Sequence, residues 1–105
     1  MKIFRVVGSV TLSRCHPSFA GATLLATEPE GHRTLGDEYA LPEEPDLLVV
    51  WDQLGAGIGS RIAVSDGAEA AQAFRPELKP VDAYCSAILD AIHVDASAVA
   101  QLKLT

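Results

Sequence analysis

Apolar and polar positions change rhythm several times along this chain, and each change marks an element. Residues 2–14 alternate imperfectly, with Ile3, Phe4, Val6, Val7, Val10 and Leu12 supplying β-branched and aromatic weight. The pattern predicts a long, bent strand, and Gly8 marks its bend or bulge. His16-Pro17 ends it, because proline has no amide to donate and restrains the residue before it. ATLLAT at 22–27 predicts a second short strand. Residues 28–46 then lose all periodicity: Pro29, Gly31, Gly36, Pro42, Pro45 and seven acids predict a surface loop. It is longer than most connections in a compact domain, and reads first as a solvated excursion and second as a functional or partner-contacting segment. Residues 47–51 and 61–65 predict two buried strands on either side of a glycine-dense turn. The alanine-rich stretch 66–74 predicts one or two helical turns, with Ser65 or Asp66 as N-cap. Residues 81–94 fit two periods. Tyr84, Ile88, Leu89 and Ile92 suit a helix, the apolar run bounded by Pro80 and Asp95 suits a strand, and the local pattern leans to helix. The tail, 98–105, ends in the alternating QLKLT of a final edge strand.

Composition narrows what such a chain can do. Its 105 residues make one domain, 1–105, large enough for a core and too small for two. Apolar residues make up 49%, a globular rather than a disordered balance. Eight basic against fourteen acidic residues leave a net charge of −6. That argues against nucleic acid, whose phosphates call for clustered Lys and Arg, and against an anionic membrane surface. No apolar stretch approaches the roughly 20 residues that span a bilayer. The N-terminus reads as a first strand rather than a signal peptide, since Arg5 interrupts its apolar run and no small-residue cleavage site follows. Cys15 and Cys85 lie far apart, and without a secretion signal the expectation is reduced thiols in a cytoplasm.

The candidate chemistry centres on Gly55, Ala56, Gly57, Ile58 and Gly59. With the preceding apolar run they nearly imitate a dinucleotide fingerprint, in which glycines let a helix N-terminus approach a pyrophosphate. Three features oppose that reading. Ser60 stands at the third required position, the residues after it are strand-like, and too little chain follows to build repeated βαβ units. The other reading is backbone that needs positive φ or close contact with another chain. Catalysis finds no support, and no cofactor or metal is expected. There is no nucleophile elbow around Ser60, and Cys15 and His16 would point to opposite faces of a strand. Cys85 sits in an apolar run as a small buried side chain. His16, His32 and His93 lack metal-ligand spacing. Asp52, Asp82 and Asp90 are scattered carboxylates with no pairing evident in the sequence.

With these residues in hand, the chain resembles the EutN/CcmL family, the vertex proteins of bacterial microcompartment shells. KIFRVVGSVTLSR is similar to the family's first strand and Leu24-Leu25 to its second. DQLGAGIG at 52–59 resembles a D-x-x-G-A-G-x-G turn, and VSDGAEAAQ at 64–72 the V-S-x-G-S-x-A-R-Q segment after it. PVD at 80–82 and ILD at 88–90 match P-V-D and I-V-D at family distance. Ser60 and Ala71 depart from the Glu and Arg often found there, so no interface ion pair carries over, and the acidic middle is longer than usual.

The resemblance implies a mainly β protein: a small OB-like, five-stranded β-barrel with one short helix near 66–74, assembling as a pentamer. It favours a strand within 81–94. It implies a structural, non-enzymatic role in the bacterial cytoplasm, capping the five-fold vertices of a shell beside hexameric and trimeric shell proteins. The turn at 55–59 is then the leading candidate for a subunit interface or pore lining, with exposed amides facing a narrow opening, beside the competing view of a turn that serves only its own barrel. Two alternatives stand beside this one: an OB-fold binding module for single-stranded nucleic acid or another ligand, and a small cofactor-binding fragment. Six aromatics and few cations weigh against the first.

Overall fold

The computed structural model describes residues 1–31, 47–77 and 79–104. Five strands form a closed barrel in the order β1-β2-β3-β5-β4. They are β1 (Lys2–Val10), β2 (Thr23–Pro29), β3 (Leu48–Asp52), β4 (Arg61–Asp66) and β5 (Ala83–Ile88). Neighbours pair antiparallel except β3 and β5, which run parallel through Trp51 and Tyr84. Closure removes the exposed edges that an open sheet this small would carry.

The bend expected at Gly8 is present as a register shift between Val6 and Gly8. It lets β1 pair with β4 through its first half and with β2 along most of its length, the double use that closes a small barrel. The two-residue period then sorts the side chains. Phe4 and Val6 of β1, Leu25 of β2, Val50 of β3, Ile62 and Val64 of β4, and Ala83 and Cys85 of β5 form the core. Thr27 is buried among them and donates its hydroxyl to Leu48 O at 2.8 Å.

A second apolar cluster lies outside the barrel wall. Trp51 packs against Phe19 at 6.1 Å between ring centroids and edge-on against Phe74 at 5.8 Å, and Phe74 meets Tyr84 at 5.3 Å. A short 3-10 turn at Pro17–Phe19 brings in Phe19, and the chain just after α1 (Ala68–Gln72) brings in Phe74. Lys79 Nζ closes this cover, 5.3 Å from the indole centroid and donating to Ser18 O at 2.7 Å.

Several expectations need correction. The loop expected at 28–46 starts later, because Glu28 and Pro29 belong to β2 and Glu30 N donates to Ile3 O at 2.9 Å. The acids there are held by arginines: Arg5 lies 3.6 Å from Glu28 and 3.7 Å from Glu30, and Arg61 lies 3.2 Å from Glu30. Residues 32–46 fall outside the described residues. The N-cap of α1 is Gly67, with no side-chain cap bond; Ser65 and Asp66 remain in β4, where Asp66 meets Lys2 at 3.0 Å. Within 81–94 the strand implied by the resemblance is present as β5, and the local lean to helix gives way because strands on both sides supply partners there.

The tail is helical rather than an edge strand: α2 spans Ala96–Leu104, a second helix beyond the single one expected. Its Asp95 cap accepts from Ala98 N at 2.8 Å, the following residues are alanine-rich, and the closed barrel leaves no edge for a sixth strand to join.

Candidate functional site

The turn at residues 53–60 joins β3 to β4 and packs Ala56 against the core, and Asp52 organises it. Alternation along β3 sends Val50 and Asp52 to the same side, so the last residue of the strand carries a buried carboxyl group. One oxygen accepts from Leu54 N at 3.0 Å, and the other from Gly55 N at 3.1 Å and Ala56 N at 2.9 Å. Three amides converging on one short side chain are the Asx-turn device extended over three residues. The far side of the turn is fastened as firmly. Gly57 N donates to Ser60 Oγ at 3.2 Å, Ser60 N to Gly57 O at 3.0 Å, and Gly59 N to Val6 O at 2.8 Å. Val6 N returns a bond to Ser60 O at 2.9 Å.

This accounting decides between the two readings of the glycines. A pyrophosphate cradle needs free amides converging on empty space. Here the amides of Leu54, Gly55, Ala56, Gly57, Gly59 and Ser60 donate within the subunit, and the chain enters β4 at Arg61 with no helix opening there. Of the five residues singled out at 55–59, Gly55, Ala56, Gly57 and Gly59 thus donate their amides within the subunit.

The glycines themselves divide. Gly55 and Gly59 each sit at φ +89°, in the region that L side chains rarely adopt. Gly57 has no such φ, and a Cβ built on it would meet nothing within 4 Å. The subunit alone thus gives no reason for glycine at 57. Beside it, Ile58 is 81% exposed and Leu54 51%, while Ala56 packs inward against the core.

The remaining candidates scatter. His16 Nδ1 accepts from Ser18 N at 3.2 Å and is exposed beside the free, exposed Cys15, so the pair is no dyad. Cys85 is buried in the barrel and donates to Ala87 O at 3.7 Å. Burial first, then the neighbouring Asp52 charge, push its thiol up to about 12, the state of an inert structural cysteine. Asp82 and Asp90 are exposed beyond the ends of β5, away from the buried Asp52. Among the described residues no group of His, Cys, Asp or Glu is placed to hold a metal ion.

Sequence reasoning missed Asp52 as the anchor. The signal was present in an aspartate two to three residues ahead of a glycine-rich turn. It also missed the groove beside Trp51, because the residues lining it come from separate strands and loops.

Comparison with known proteins agrees with this architecture. The family model described as "Ethanolamine utilisation protein EutN/carboxysome" matches residues 1–90. The carboxysome shell vertex protein CcmL of Gloeobacter violaceus is 36% identical over 95 residues, covering 90% of this chain and 88% of that protein. The solved structure of Gloeobacter violaceus CcmL superposes with a TM-score of 0.71 at 31% identity, covering 90% of this chain and 91% of that one. GrpN, a pentameric microcompartment shell protein from Rhodospirillum rubrum, superposes at 0.70 with 27% identity, over 90% of this chain and all (100%) of that one. From its first residue through the end of β5, this chain belongs to the EutN/CcmL family.

Proposed function

We propose that this protein is a structural vertex protein of a bacterial microcompartment shell, working as a homopentamer without catalysing a reaction. The carrying observation is the turn at 53–60. It is held rigidly by its own subunit, yet it presents Leu54 and Ile58 to solvent around a glycine the subunit does not require. Such a feature serves contact with another chain, and the relatives named as shell vertex proteins and the pentameric shell neighbour support five copies. Gly55, Ala56, Gly57, Ile58 and Gly59 then lie at the subunit interface or close to the five-fold axis. Tiles of six-fold symmetry cannot close a polyhedron, and five-fold units at the corners supply the missing curvature.

In this role the partners are hexameric and trimeric shell proteins, with no nucleic acid, membrane or cofactor, and the location is the shell within the bacterial cytoplasm. Five copies at −6 each carry −30 per ring, so apolar burial must offset like-charge repulsion within it. The rim meets neighbouring tiles through more basic surface on their side, and assembly with them weakens as salt screens exposed charges beyond roughly 8 Å. The OB-type binding module is not favoured: Phe19, Trp51, Phe74 and Tyr84 pack on one another rather than standing free to stack on bases.

Native mass spectrometry of the purified chain tests the reading. Five copies are expected; one or two copies at every concentration would overturn it.

A further inference from the structure

A head-to-tail ring needs a receiving patch unlike the patch that enters it. One such surface lies on the outer wall of the barrel. Val10, Leu24 and Trp51 are cross-strand neighbours in one row over β1, β2 and β3. Val49 lies two residues from Trp51 and so shares its face, and Leu12 follows the end of β1. Together they line a groove of about 280 Å³. Val49 and Leu12 stay 44% and 46% exposed, so the groove keeps a contiguous apolar face open to solvent.

We propose that this groove receives Ile58 and Leu54 of the next copy in the ring, an assignment that rests on the pentameric reading above. Charge favours an uncharged occupant: Asp82 stands in the groove wall and the chain carries −6, so an acidic segment of another copy is repelled and an aliphatic one is not. Rigidity favours this particular turn. Asp52 and Val6 already fix its backbone, so docking costs little ordering entropy. Gly57, clear of its own subunit, lets the backbone between the two aliphatic side chains come close to the facing wall. The turn and the groove share no residue, so the two patches differ and the contact is head-to-tail.

The test pairs Ile58→Cys with Val49→Cys in a Cys15→Ser background. Cys85 is no competitor, being buried with its thiol held protonated to about 12. Mild oxidation of the double variant should give a covalent ladder reaching five copies on denaturing, non-reducing electrophoresis. Neither single variant should cross-link. Pentamers in the native mass spectrum without a ladder would overturn the groove assignment and leave the pentamer standing. Cross-linked dimers from a single variant would reveal a two-fold contact and overturn it too. Wild-type chains that never assemble would remove the pentameric reading itself. Independently, Ile58→Asp should raise the concentration at which rings dissociate by about thirtyfold or more, as expected for losing a central interface anchor. Its far-ultraviolet circular dichroism should not change, because Ile58 is exposed in the subunit; an unchanged ring would sink the assignment.

Discussion

Trp51 and Asp52 follow one another on β3, both almost wholly buried, and the strand's alternation turns them to opposite sides of the barrel wall. Asp52 points inward and brings a polar group into the core's margin. It is tolerated there because three backbone amides converge on its two oxygens. Trp51 points outward and is buried by what lies over it, including Phe19, Phe74 and the ammonium of Lys79. Its Nε1 is the buried side-chain polar atom that finds no hydrogen-bond partner among the described residues. Equal burial therefore conceals unequal dependence. One residue is held by polar bonds that fix a turn, the other by apolar area despite an unpaired donor.

The largest effect expected from breaking this contrast is at Asp52. Asp52→Ala removes an acceptor shared by three amides and leaves them without it. Two or three charge-assisted bonds lost at about 1.5 kcal/mol or more each put the cost at about 3–5 kcal/mol in urea unfolding. A loss below about 1 kcal/mol would mean that water replaces the carboxylate and that the turn is not held by it. Assembly should fail along with stability, since the turn would no longer present Ile58 rigidly.

The glycines come next. Gly55→Ala and Gly59→Ala each force a side chain into φ near +89°, at about 1–2 kcal/mol of subunit stability. Gly57→Ala should leave the subunit within about 0.5 kcal/mol of wild type, as for an open surface site. Gly57→Leu should fold as well and still weaken the ring. Chemical unfolding and native mass spectrometry on the same three positions separate the two roles, and a Gly57→Leu variant with wild-type pentamer yield would count against a chain-to-chain role for this glycine.

This division explains how much was legible beforehand. β1 could be read because its apolar residues alternate, with Gly8 announcing its bulge by interrupting that alternation, and β3 and β4 because apolar runs flank a glycine-dense turn. The helical lean at 81–94 failed because Tyr84, Ile88 and Leu89 satisfy both periods, and the choice is made by β3 and β4 on either side. The edge strand expected at the tail failed because QLKLT alternates locally, while Asp95, six to ten residues upstream, had already capped a helix. At the turn the glycines were visible and their meaning was not: three look alike in sequence, yet two serve backbone conformation and one does not.

A smaller effect belongs to the inward side of the wall. Burial, and after it the Asp52 charge, raise the Cys85 thiol from 9.0 to about 12. The unfolded chain releases this proton near the ordinary value and the folded chain holds it. Stability is therefore intact below about pH 9 and falls as pH rises toward 12, at up to about 1.4 kcal/mol per pH unit. Cys85→Ala should flatten that limb of a stability-versus-pH curve in urea. A limb of unchanged slope would assign the alkaline loss to other groups. Thiol reagents at neutral pH should label Cys15, which is exposed, and spare Cys85.

The smallest expected effect sharpens the comparison most. Trp51→Phe removes the unpaired indole N–H, whose burial without a partner costs about 1–3 kcal/mol, and it also gives up ring area and part of the attraction to Lys79, worth about 0.5–1 kcal/mol at a partly exposed site. These changes oppose one another, so the net loss should stay within about 1 kcal/mol, well below that of Asp52→Ala. Trp51→Ala, which empties the space under Phe19 and Phe74, should cost about 3–5 kcal/mol instead. A phenylalanine variant as damaging as the alanine one would mean that the indole nitrogen is bonded after all, through an ordered water, and the two sides of the wall would then obey one rule: a buried polar atom stays only where something accepts or donates to it.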